Sequence, residues 1–234
     1  MRYFQLGERV SEAEAVDPKA MAWYYDLITH MPMWRGVHRR MVAGVLDQGV
    51  TQGMCLDLGT GPGRVALEIA RQRPGLRMVG LDLAAHMIRR ANTRAGAAQA
   101  ICRSLWSQAD AHLLPFADGS FDLVISTFAL HHWEDPLRIF GEISRVLAPG
   151  GRYYLADLNR EVDLVQRLFA YGSIPVASLP FGSYLGYGGY YESVRAGYTQ
   201  SDLQVLLEES SLPPGKVAHA STRFFPILTM ASVG

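Results

Sequence analysis

An apolar run, Met54-Cys55-Leu56-Asp57-Leu58, stops at Gly59-Thr60-Gly61-Pro62-Gly63, and a helical pattern starts at Arg64. A strand that ends in glycines and turns into a helix admits few folds. The glycines let the backbone turn sharply and approach a ligand with no Cβ in the way. The free amides that open the next helix face an anionic group such as a carboxylate or phosphate. From Arg64 to Arg73, Val65, Leu67, Ile69 and Ala70 recur at helical spacing, and Pro74-Gly75 stops them. Leu76 to Leu81 reads as a second strand and Ala84 to Arg94 as a second helix. A third strand is weakly written and ends near Asp110, whereas Phe121 to Thr127 is the clearest strand of the chain. Pro136 opens another helix with Leu137, Phe140, Ile143, Val146 and Leu147 on one face; Pro149-Gly150-Gly151 ends it, and Arg152 to Leu158 is a fifth strand. Strands alternating with helices predict an α/β fold, a Rossmann-like doubly wound parallel sheet with ligands at the carboxyl ends of its strands.

With 234 residues the chain suits one well-buried α/β domain. Lys+Arg and Asp+Glu both number 22, so no bulk charge favours nucleic acid or an anionic membrane, and macromolecular substrates are not favoured. Cys55 and Cys102 make neither a disulfide framework nor a zinc site, and no metal is expected. The first residues lack the long apolar stretch of a signal peptide, and no run reaches the ~18 apolar residues of a membrane span. The expectation is a cytoplasmic protein with no integral membrane segment; the sequence says nothing of its oligomeric state.

The ends of the chain frame this core. Ala20 to His30 and Trp34 to Leu46 read as two helices over the sheet, so residues 1–50 form an N-terminal helical part. Residues 53–158 form the core, 159–198 an insert, and 199–234 a closing helix and strands. Thr199-Gln200-Ser201-Asp202 is a capping pattern for a helix to Ser211, and Val217 to Thr222 and Phe224 to Val233 read as closing strands.

Asp82 ends the second strand, where an acid can accept hydrogen bonds from both hydroxyls of a ribose or can cap the helix that follows. A nicotinamide or flavin dinucleotide site would ask for G-x-G-x-x-G/A; Gly59 and Gly61 fit, but the third place is Arg64. A long cation there prevents the close helix–strand packing that a third glycine gives.

The series Asp57 to Gly63, Asp82, Asp110-Ala111, Leu130-His131-His132-Trp133 and Arg145-Val146-Leu147-Ala148-Pro149-Gly150-Gly151 resembles the class I S-adenosylmethionine-dependent methyltransferases, in the branch that includes quinone, sterol and small-molecule enzymes. The segment Asp110 to Asp122 resembles that family's connection between its third and fourth strands. The resemblance covers roughly residues 53 to 158. It implies seven strands in the order 3-2-1-4-5-7-6 with the seventh antiparallel, and S-adenosyl-L-methionine as cofactor. It assigns Asp57, Gly59, Thr60, Gly61 and Gly63 to the loop around the methionine moiety. Asp82 takes the ribose, Leu83 and Met87 line the adenosine, and Asp110 and Ala111 take the adenine. Thr127 and Phe128 face the sulfonium and its methyl group.

The expected reaction is methyl transfer to a small-molecule acceptor. The alternatives are C-methylation of a quinone-like lipid, which would need an exposed apolar lid edge, and a non-catalytic cofactor-binding subunit. Ser126-Thr127-Phe128-Ala129 departs from the Asn/Asp-Pro-Pro-aromatic pattern of nucleobase and amide N-methyltransferases. His131 and His132 are candidates for a general base, with turn packing as the alternative. Tyr24 and Tyr25 on the N-terminal helix, and Tyr184, Tyr187, Tyr191 and Arg195 in the aromatic, glycine-rich insert, are candidates for contacting the acceptor under a closing lid.

Overall fold

The computed structural model describes residues 3–6, 9, 32–97, 104–177 and 189–233. Its centre is a seven-stranded sheet. The strands are β2 (Gln52–Leu58), β3 (Gly75–Asp82), β4 (Ser104–Gln108), β5 (Phe121–Thr127), β6 (Leu147–Leu158), β8 (Gly215–His219) and β9 (Ile227–Ser232). They lie in the order β4-β3-β2-β5-β6-β9-β8. Counted within this sheet alone, that is 3-2-1-4-5-7-6, and β9 runs antiparallel to both β6 and β8. Outside it, β1 (Phe4–Gln5) pairs antiparallel with β7 (Glu161–Val162) in a two-stranded sheet that the sequence pattern did not announce.

Side-chain alternation along the strands feeds two cores. Cys55, Met78, Trp106, Ile125 and Tyr154 face α1 (Pro32–Leu46), α2 (Arg64–Gln72) and α3 (Ala85–Ala97). Leu56, Leu58, Leu81, Val124 and Leu155 face α4 (Pro136–Val146) and α7 (Gln200–Glu209). In α2 the predicted Val65, Leu67, Ile69 and Ala70 are all buried, joined by Ala66. In α4, Asp135 caps the amide of Arg138 and Pro136 fills the first turn, where its missing N–H costs nothing. The buried face of α4 is Ile139, Phe140, Ile143 and Val146; Leu137 points outward, a correction to the predicted face.

A second correction concerns Pro149-Gly150-Gly151. The backbone is already extended at Leu147, so these residues do not end the helix. They form an irregularity inside β6, where the register against β5 jumps from Phe121↔Leu147 to Leu123↔Arg152. Gly150 has φ 77°, and a Cβ on Gly151 would lie 2.8 Å from the carbonyl oxygen of Ala148. The closing strands are also shorter than predicted. Phe224 and Phe225 lie in the connection before β9, where their rings pack instead of joining the ladder.

The insert contains two packed helices, α5 (Leu164–Ala177) and α6 (Gly189–Ala196). α5 starts on a reciprocal cap: Gln166 N donates to Asp163 Oδ1 at 2.8 Å, and Asp163 N donates to Gln166 Oε1 at 3.0 Å. The predicted cap of α7 is present in the same reciprocal form, between Thr199 and Asp202. The predicted helix Ala20 to His30, Tyr24, Tyr25, Tyr184, Tyr187 and Cys102 lie outside the described residues. No helix among the described residues is long and apolar enough to cross a membrane.

Candidate active site

The functional side chains sit where the parallel strands end. β2 delivers Asp57, and its alternation with Cys55 turns the carboxyl toward the α1–α3 face. There it is buried, and Oδ2 accepts a 2.6 Å hydrogen bond from the Thr60 hydroxyl. Oδ1 has no partner among the described residues. Burial, with neighbouring Asp82 adding and the Thr60 bond opposing, pushes the Asp57 carboxyl up to about 7. A buried carboxylate oxygen with nothing to accept is costly unless a ligand donor meets it.

Three turn glycines make the loop possible. Gly59, Gly61 and Gly63 all have positive φ, at 68°, 51° and 74°. A Cβ on Gly59 would lie 2.4 Å from the Cβ of Ala129, whereas one on Gly61 would meet open space. The loop is therefore pressed on the β5 side and open above Gly61.

Asp82 ties this loop to the next strand. Its Oδ2 accepts from the Gly61 amide at 2.8 Å and its Oδ1 from the Ala84 amide at 2.9 Å. Burial raises its pKa against these two amide bonds. The capping reading is realised, since the carboxylate braces the entrance of α3, and each oxygen keeps a second lone pair beyond these amide bonds. Next to it, Leu83 is 60% exposed, and Leu113 beyond β4 is 71% exposed. Met87, on α3, is partly buried. Asp110 is largely exposed, and its Oδ1 accepts from the His112 amide at 2.9 Å and lies 2.7 Å from His112 Nδ1. Both bonds hold its pKa below the usual carboxylate range. Ala111 is partly buried beside it. Arg145 of α4 pins this connection, donating to the carbonyls of Leu114 and Phe116 and pairing with Glu142 and Asp118.

At the end of β5, Thr127 is half-buried and Phe128 stands at φ 57°, the one non-glycine residue with positive φ among those described. Its amide donates to the Ala156 carbonyl at 2.9 Å. Backbone in this region costs about 1–3 kcal/mol for a bulky residue and persists only where its surroundings enforce it. The Phe128 ring meets Trp34 edge-on at 5.8 Å. Trp34 in turn packs on Phe225 at 4.5 Å, and Phe169 of α5, Tyr190 of α6 and Phe224 beside Phe225 extend the cluster. Sequence reasoning missed this wall, because its members come from five separate stretches of chain.

The two histidines separate clearly. His132 is exposed, while His131 is buried with its Nδ1 2.6 Å from Asp157 Oδ1. The His131 amide donates to Asp157 Oδ2 at 2.8 Å, and the Leu158 amide donates to Oδ1 at 2.6 Å. Asp157 continues the alternation of Tyr153 and Leu155, opposite to Asp57, and the 3-10 turn Leu130–His132 brings His131 to it. Asp157 was not singled out, although a lone acid at the end of the apolar run Tyr153-Tyr154-Leu155-Ala156 was a visible signal. Tyr191 is partly buried with its ring 5.2 Å from that of Tyr171, and Arg195 pairs with Glu192 of its own helix at 3.5 Å.

Residues 56–155 match the methyltransferase domain family. The chain is 37% identical over 179 residues to the demethylmenaquinone methyltransferase of Thermus thermophilus, covering 74% of this chain and 78% of that protein. This chain belongs to the class I S-adenosylmethionine-dependent methyltransferases. The methyltransferase is also 35% identical over 164 residues to a ubiquinone/menaquinone biosynthesis C-methyltransferase of Desulfotalea psychrophila, covering 65% of this chain and 63% of that one. Its fold matches a SAM-dependent methyltransferase of Aquifex aeolicus with a TM-score of 0.65 at 16% identity, over 93% and 99% of the two chains. The cofactor is S-adenosylmethionine, and the dinucleotide reading falls away.

Proposed function

We propose that this methyltransferase methylates a ring carbon of a quinol-type aromatic small molecule. The observation that carries this reading is the aromatic wall of Trp34, Phe128, Phe169 and Tyr190 beside the end of β5, packed on the buried ring of Phe225. A planar acceptor gains area and ring-edge contacts from such a wall. The names of the two relatives, methyltransferases of menaquinone and ubiquinone biosynthesis, point to the same class.

In this reading the orphaned Asp57 Oδ1 takes the ammonium of the methionine moiety, above the open space at Gly61. Asp82 holds the ribose hydroxyls. Leu83, Met87 and Leu113 line the adenine, with Asp110 and Ala111 at its polar edge. When bound, S-adenosylmethionine supplies a methyl group on a positively charged sulfur that departs as a neutral thioether. Thr127 and Phe128 fix where the acceptor ring stands relative to that methyl, and alignment of this kind accounts for much of the rate.

A quinol carbon becomes strongly nucleophilic once a ring hydroxyl loses its proton. His131 is the residue suited to take it. Its Nδ1 lies 2.6 Å from Asp157 Oδ1, and the carboxylate orients the ring and would stabilise the imidazolium that forms. The ring C–H proton is then lost to solvent, restoring aromaticity.

Steady-state kinetics on a water-soluble demethylmenaquinol analogue test this assignment. His131→Gln should lower kcat by about 100-fold, within the range of general-base catalysis. A variant with unchanged kcat but a lower melting temperature would make the His131–Asp157 pair a clamp between the turn and β6.

A further inference from the structure

On α5, Leu164, Val165, Leu168 and Tyr171 are 59%, 42%, 64% and 41% exposed. Their spacing of one, four and seven residues places them on a single face spanning about 120° of the helix. The opposite face buries Gln166 and Ala170 and sends Phe169 into the aromatic wall. A helix that faced only water would carry polar side chains outward, and a contiguous exposed apolar stripe marks an interaction surface. At its margin the Arg167 guanidinium lies over the rings of Phe4 and Tyr171, at 5.1 and 5.6 Å.

We infer that this face of α5 rests on the lipid surface of a membrane, where the methyltransferase meets its acceptor. Aliphatic side chains at the centre, with a tyrosine and a snorkelling arginine at the rim, match the layering of an interfacial helix: acyl chains below, headgroups beside. Continuity with the acceptor wall supports the same occupant. The helix that presents the leucines outward holds Phe169 inward, so one helix separates the lipid-facing stripe from the wall against which the acceptor ring packs. This inference rests on the quinol reading, since a quinol with a polyprenyl chain is dissolved in the bilayer and must be reached there. One arginine against Asp163 at the start of the helix gives little net charge, so binding should come from apolar burial and depend weakly on anionic lipid.

The test is co-sedimentation of the full chain with phosphatidylcholine vesicles, with and without phosphatidylglycerol. The wild type should bind both kinds. Leu164→Glu and Leu168→Glu should each weaken binding about tenfold, the scale of withdrawing one leucine from lipid. Neither variant should alter kcat on the water-soluble quinol analogue, while both slow methylation of a long-chain acceptor embedded in vesicles. Failure of the wild type to bind either vesicle, with the soluble analogue still methylated, would overturn the membrane inference and leave the acceptor reading standing. Vesicle binding by the wild type that both variants lose, without methylation of any quinol, would support the surface and sink the acceptor reading. A wild-type dimer that Leu168→Glu dissociates, with no vesicle binding, would assign the stripe to a second copy of the chain and overturn the inference.

Discussion

The carboxyl edge of the sheet has two halves built on different principles. Over β2 and β3, backbone amides, a buried and a half-buried carboxylate and three left-handed glycines lock one another. Over β5 and β6, the wall consists of rings from α1, α5, α6, the connection before β9 and Phe128 at the end of β5, held by packing at centroid distances of 4.5 to 5.8 Å. The first half has one geometry available to it, suited to a ligand of fixed shape. The second can exchange one apolar side chain for another of similar volume and keep its fold, which suits a part that selects among acceptors. Changes in the first half should therefore strike cofactor affinity, and changes in the second should strike the acceptor alone.

The largest effect is expected at Gly59. A methyl there meets the Ala129 Cβ at 2.4 Å while the backbone sits at φ 68°, so Gly59→Ala should abolish measurable S-adenosylmethionine binding and lower the melting temperature. Gly61→Ala shares the positive φ but meets no atom, and should cost only the strain of about 1 kcal/mol. Calorimetry and thermal melts on the pair separate contact from strain.

Asp57 comes next. Its carboxyl ordinarily titrates at 3.8 but is raised to about 7 in the folded chain. The folded state keeps its proton where the unfolded chain has lost it, so the stability it contributes is full below about 3.8 and gone above about 7. Asp57→Asn should thus stabilise the apoprotein at pH 8 by about 2–4 kcal/mol in urea melts. The same substitution should remove the rise in cofactor affinity that the wild type shows from pH 6 to pH 8, as the carboxylate ionises to meet an ammonium.

Asp82→Ala should weaken cofactor binding by about 1–3 kcal/mol. Because Asp82 also braces the Gly61 and Ala84 amides, the melting temperature should fall too, and affinity must be taken per folded molecule. In the other half, Phe169→Ala should raise the acceptor KM with cofactor affinity unchanged. The smallest effect belongs to Tyr190→Phe, which deletes the 3.0 Å bond to the Phe224 carbonyl and should cost about 1 kcal/mol in stability. Loss of cofactor affinity in either aromatic variant would break the division between the halves.

The same division governs what could be read before folding. Gly59 to Gly63, Asp82 and the βα alternation were legible because their chemistry is local: a turn needs glycines where it turns, and strand and helix periods repeat within ten residues. The aromatic wall was not, since Trp34 and Phe225 meet only after the chain has closed its sheet. Asp163 and Gln166 form a D-x-x-Q cap, a local signal for the first helix of the insert, whereas the glycines and tyrosines further on suit a lid. Leu137 was assigned to the wrong face because its spacing to Phe140 suits either phase of a short helix, and packing against β5 and α7 selects the phase of Ile139. His131 and His132 are adjacent and equivalent on paper; only the position of Asp157 distinguishes them.

The most direct measurement of the central claim is a single incubation. The purified methyltransferase, S-adenosylmethionine and a water-soluble demethylmenaquinol analogue are combined under reducing conditions, and the product is examined by mass spectrometry and carbon NMR. One new methyl on a ring carbon, formed with one equivalent of S-adenosylhomocysteine, is the predicted result. A methyl on oxygen, or no transfer from an enzyme that demonstrably binds S-adenosylmethionine, would contradict it.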